Sequence, residues 1–73
     1  NPANNIVTIP LKGYNGKGSI NIMDVTGKII SSKTVNANDL ISVDVSDIAN
    51  GNYIFDLKLQ DGRSTKFNIV ISK

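Results

Sequence analysis

The chain has no cysteine, histidine, tryptophan or glutamate among its 73 residues. Without cysteine there is no disulfide framework and no thiolate metal site. Without histidine the commonest general base and zinc ligand is missing, and with it the Ser-His-Asp triad. No apolar run approaches the ~20 residues of a membrane-spanning helix. The net charge of +2 is a small excess. Its carriers, Lys12, Lys17, Lys28, Lys33, Lys58, Arg63, Lys66 and Lys73, are spread singly along the chain, which is not the footprint of a nucleic-acid binder.

What is present points to β structure. Ile (11) and Val (6) outnumber Ala (3) heavily, and β-branched side chains are stiff at χ1 and pack well on a pleated surface. Asn (10), Ser (7), Asp (6) and Gly (6) supply turns, because they tolerate left-handed backbone or bond their own main chain. At 40% hydrophobic and 19% charged the chain is too apolar for a disordered tail. Residues 1–73 are expected to form a single small domain.

Short alternating runs divide the chain. Strands are expected at Asn5–Leu11, Ser19–Asp24, Lys28–Val35, Leu40–Val45, Asn52–Gln60 and Ser64–Ser72. A seventh arises if the first splits at Pro10, which lacks an N–H. Ile20 and Ile22 share one face; Ile30 is the expected inward residue of its run. Ile41, Val43 and Val45 alternate inward, as do Tyr53, Phe55, Leu57 and Leu59, then Phe67, Ile69 and Ile71. Lys12–Gly18 and Asn36–Asp39 are expected as a loop and a turn. Ser46–Asn50 could make one helical turn capped by Ser46. Asp61-Gly62 suggests a two-residue type I′ hairpin. This pattern predicts an all-β fold, a small immunoglobulin-like Greek-key sandwich of six to seven antiparallel strands.

Ile48 to Tyr53 fits a tyrosine corner: an aliphatic plug, a glycine turn at Gly51, and a ring at Tyr53 whose hydroxyl bonds backbone a few residues upstream. The spacing favours this over ligand contact. Asp24-Val25-Thr26-Gly27 fits a bulged hairpin, with Asp24 accepting from nearby amides and Gly27 in the left-handed position. One carboxylate and one hydroxyl are far short of a calcium site's six to eight oxygens. Asp39, Asp44, Asp47 and Asn50 are richer in oxygen but lack EF-hand spacing. No nucleophile–base pair can be assembled, so no enzyme and no cofactor are expected. Lys58, Arg63, Lys66 and Lys73, in or after the last hairpin, suit edge-strand protection; a basic face for a partner is the alternative.

The order of these motifs carries a resemblance. Asn1-Pro2-Ala3-Asn4 opens the chain. Ile20-Asn21-Ile22-Met23-Asp24-Val25-Thr26-Gly27-Lys28 follows, then Val43-Asp44-Val45-Ser46-Asp47-Ile48-Ala49-Asn50-Gly51-Asn52-Tyr53-Ile54. Thr65-Lys66-Phe67-Asn68-Ile69-Val70-Ile71-Ser72-Lys73 closes it. This resembles the type A C-terminal sorting domain of the type IX secretion system of Bacteroidota. That family shows a Pro-Asn-Pro opening, an Asp-x-x-Gly turn, a Leu-Ala-Asn-Gly-x-Tyr segment and a terminal basic residue. Here the leading Pro is absent and Ile48 replaces Leu.

The resemblance implies a tail excised from a larger secreted protein. Its cargo would enter the periplasm by an amino-terminal signal and be carried through the outer-membrane type IX translocon. A sortase-like peptidase usually removes such a tail, and the cargo is released or attached to the cell surface. The partners implied are the type IX machinery, that peptidase and an N-terminal cargo domain, with no nucleic acid and no small-molecule substrate. The recognition and structural positions implied are Asp24, Gly27, Gly51, Tyr53, Lys66, Ile69, Val70, Ile71 and Lys73. The competing expectation is an accessory fibronectin-like or carbohydrate-binding sandwich of a secreted enzyme. It needs exposed aromatics, and only Tyr14 looks available.

Overall fold

The structure, a computed structural model, describes residues 5–73; the Asn1–Asn4 part of the family's opening segment lies outside them. Four antiparallel strands follow in chain order: β1 (Ile6–Met23), β2 (Ile29–Asp44), β3 (Gly51–Leu59) and β4 (Ser64–Ile71). They form one sheet in the order β2-β1-β3-β4. All-β architecture is as expected, but the described residues hold four strands in one hydrogen-bonded sheet instead of six to seven in two.

The difference lies in the two longest strands. Lys12–Gly18 and Asn36–Asp39 are not separate connections, because the β1–β2 ladder runs through both. Residues 11–14 of β1 stand opposite Asp39 alone between the pairs Pro10↔Leu40 and Asn15↔Asn38. This irregularity is a bulge, which bends a strand without ending it. It also flips the inward face of β1: Val7, Ile9 and Leu11 are covered before it, Tyr14, Ile20 and Ile22 after it.

Length shows that the sheet doubles back. Eighteen residues of straight strand would reach ~60 Å at 3.3 Å each, yet the longest axis of the molecule is 31 Å. The first arm of β1, paired with Leu40–Asp44, folds over the rest. Ile9, Ile41 and Val43 thereby join Ile20, Ile22, Phe55 and Leu57 in one core. β3 pairs with β1 only over Gly18–Met23, so Pro10 sits on a stretch with a single neighbour, where a missing N–H is tolerated.

Three local expectations are corrected. Ile30 is 42% exposed, because a second irregularity sets Met23 against Ile29 after Ile22 against Ser31 and turns Ile30 away from the core. Ser46–Asn50 forms no helix; Ile48 N–H donates to the Val45 carbonyl at 2.9 Å in a single turn, and the carboxylate accepting from Ser46 N–H at 2.9 Å belongs to Asp44. The β3–β4 hairpin has a three-residue loop, not a two-residue one. Leu59 N–H donates to Arg63 and Gly62 N–H to Leu59, and only Gly62 of the Asp61-Gly62 pair has positive φ. A type I′ turn needs both.

Candidate recognition site

The β1–β2 turn carries out what its sequence promised. Asp24 N–H donates to the Lys28 carbonyl at 2.9 Å and Gly27 N–H to the Asp24 carbonyl at 3.0 Å. Gly27 has φ +90°, the conformation a bulged three-residue loop requires and an L side chain resists. Asp24 Oδ1 accepts from Thr26 N–H at 2.9 Å, Lys28 N–H at 3.1 Å and the Thr26 hydroxyl. These bonds, those from Thr26 first, hold the Asp24 carboxyl below its ordinary value of 3.8.

The tyrosine corner forms as expected. Tyr53 Oη donates to the Ala49 carbonyl at 2.7 Å, and Ile48 is buried as the plug. Gly51 is required by its backbone and not by space. A Cβ there would stand 3.4 Å from Tyr53 Oη, an ordinary contact, while its φ of +156° excludes most side chains.

A second device of this kind was not legible in the sequence. Tyr14 Oη donates to the Lys17 carbonyl at 2.7 Å and accepts from Gln60 N–H, and a Cβ on Gly16 would lie 3.3 Å from Tyr14 Oη. The Arg63 guanidinium lies 5.3 Å from the Tyr14 ring centroid. Tyr14 is 8% exposed, so the aromatic an accessory sugar-binding module would use is inside the core. The three glycines of Lys12–Gly18, which suggest a loop, concealed the tyrosine's role.

Among the described residues β4 is an edge strand, with β3 on one side and no strand on the other. Ile69, Val70 and Ile71 pair with Tyr53, Asn52 and Gly51, which brings five of the expected positions to one end of the sheet. Met23 pairs with Ile54, so the Asp24–Gly27 turn belongs to that end too. Lys73 anchors it: its N–H donates to Asn50 Oδ1 at 2.9 Å, and its Nζ to the Ser46 carbonyl at 3.1 Å and to the Ile48 carbonyl. Lys66 stands apart, opposite Asp56. The oxygen-rich residues Asp39, Asp44, Asp47 and Asn50 are engaged separately, by Gly13, Ser46, Lys33 and Lys73 respectively.

The tyrosine corner, the Asp-x-x-Gly hairpin and the edge strand beside them are thus set in one all-β domain. Residues 1–72 match the secretion system C-terminal sorting domain. The chain belongs to that family, and its function is that of a C-terminal sorting signal for type IX secretion. A secretion tail implies a cargo and the type IX machinery as partners, and a secreted or cell-surface protein. No curated protein and no solved structure matches the chain.

Proposed function

We propose that the domain travels at the carboxyl end of a secreted protein of Bacteroidota and is recognised, folded, at the periplasmic side of the outer membrane. The cargo reaches the periplasm by its own amino-terminal signal. After translocation a sortase-like peptidase removes the tail, and the cargo is released or attached to surface lipopolysaccharide. The domain works as a recognised body and not as a catalyst. The immunoglobulin-like sandwich reading is carried by the tyrosine corner and the doubled sheet.

The match over residues 1–72 carries this reading. The geometry supports it in one respect: Gly27, Gly51, Tyr53, Ile69, Val70 and Ile71 come from three separate segments yet collect at one end of a self-contained fold. A tag attached to varied cargoes must fold independently of them.

The test is secretion of a periplasmically exported fluorescent protein fused to residues 1–73. Fluorescence outside a type IX-competent strain, and trapped in the periplasm of a translocon-deficient sibling, is the expected result. Folded fusion trapped in both strains would refute the sorting reading.

A further inference from the structure

The solvent-facing side of the sheet is polar over most of its length. Its register sets Thr34, Ser19, Lys58 and Ser64 in one row and Ser32, Asn21, Asp56 and Lys66 in the next. The row after that changes character: Ile29, Met23 and Ile54 lie side by side. Val70 is diagonal to Ile54, since Ile54 pairs with Asn68 and Asn52 with Val70. Ile29 and Ile30 both face this side, because the bulge sets two residues of β2 against Met23. Val25, Ile29, Ile30 and Val70 are 72%, 53%, 42% and 71% exposed, four of the six exposed large hydrophobics of the described residues. Such a cluster marks an interaction surface.

Area and charge select the occupant. Six side chains are well short of the roughly 20–30 residues a side with which a stable dimer meets. A transient partner suits it better than a second copy. At its edge, Lys28 has no carboxylate within 4 Å among the described residues, whose ion pairs are Lys33–Asp47 and Arg63–Asp61, while Lys66 stands opposite Asp56. Asp24 is turned into its own loop. An apolar centre with an ammonium group at its edge complements a partner with an apolar centre and an acidic group at its edge.

We propose that this corner, built from Met23, Val25, Ile29, Ile30, Ile54 and Val70, is the surface that docks on the type IX translocon, against an apolar receptor patch with an acidic group at its edge. The proposal rests on the sorting reading and assigns it a surface: a face of the sheet rather than the backbone of the last strand.

The experiment uses the secretion fusion in three variants. The triple change Ile29→Ser, Ile30→Ser and Val70→Ser removes the apolar centre, Lys28→Glu reverses the charge at its edge, and Thr34→Lys alters the same face at its far end. Protease resistance of the periplasmic fusion reports folding. With unaltered fusion secreted, the triple variant is expected to stay in the periplasm, folded, with export down at least about tenfold. Lys28→Glu should slow export severalfold, and Thr34→Lys should leave it unchanged. Normal export of the folded triple variant overturns the proposal while leaving the sorting reading intact. If the triple variant is degraded, normal export of Lys28→Glu overturns it in the same way. Failure of the unaltered fusion strikes the sorting reading itself.

Discussion

The Gly13 amide donates to the Asp39 carboxylate at 3.0 Å across 26 residues of chain, and this bond ties the bend of β1 to the bend of β2. Asp39 is the sole non-glycine residue with positive φ among those described, at 59°. Asn and Asp accept that conformation best because a short polar side chain bonds locally. The doubling of the sheet thus depends on one residue serving two purposes.

Replacing Asp39 separates them. Asp39→Asn keeps an acceptor and the backbone tolerance, and should cost less than about 1 kcal/mol. Asp39→Val loses both and should cost about 2–3 kcal/mol. Urea denaturation of the two variants measures the contrast; equal losses would show that the bend does not depend on this residue.

The two tyrosines should respond differently. Tyr53→Phe removes one half-exposed hydrogen bond to Ala49 and should lower stability by about 1 kcal/mol. Tyr14→Ala empties a core position whose hydroxyl also serves Gln60, and should cost about 3–5 kcal/mol. Thermal unfolding of both variants gives the ranking.

At Gly27 a side chain would meet nothing within 4 Å, so its cost is purely conformational. Gly27→Ala should lose about 1–2 kcal/mol, and Gly27→Asn clearly less. Calorimetry of the pair isolates backbone strain from packing.

Acid should weaken the turns. The carboxyls of Asp24, Asp44 and Asp61 lie below 3.8 because each accepts hydrogen bonds within its own turn, chiefly from Thr26, Ser46 and Arg63. A depressed carboxylate contributes stability that is complete above the unfolded value and is lost as pH falls through the folded one. The melting temperature should therefore hold near neutral pH and drop below about pH 4. The gap between Asp24→Asn and the parent should close there, and a gap that persists in acid would rule out the carboxylate charge as its source.

How much was legible varies by element. β3 and β4 were readable because each runs straight with period two, and Phe55, Leu57, Leu59 and Ile71 fell inward as expected. The Asp24–Gly27 hairpin and the tyrosine corner were readable because their bonds close within a few residues. The tail motifs sufficed to indicate the family. Ile30 and Tyr14 were misplaced because a bulge is a mismatch between two strands, invisible in either alone. The clasp of Lys73 on Ser46, Ile48 and Asn50 likewise joins segments far apart in the chain.

By itself the sequence determined the all-β class, the turn chemistry and the alternating inward faces, since these follow from side-chain type and short-range backbone geometry. Only the tertiary structure decided that two long strands bend instead of breaking, that Tyr14 is buried, and that Ile29, Ile30 and Val70 gather on one exposed corner. Register is a relation between strands, and a slip of one residue moves a side chain from core to solvent.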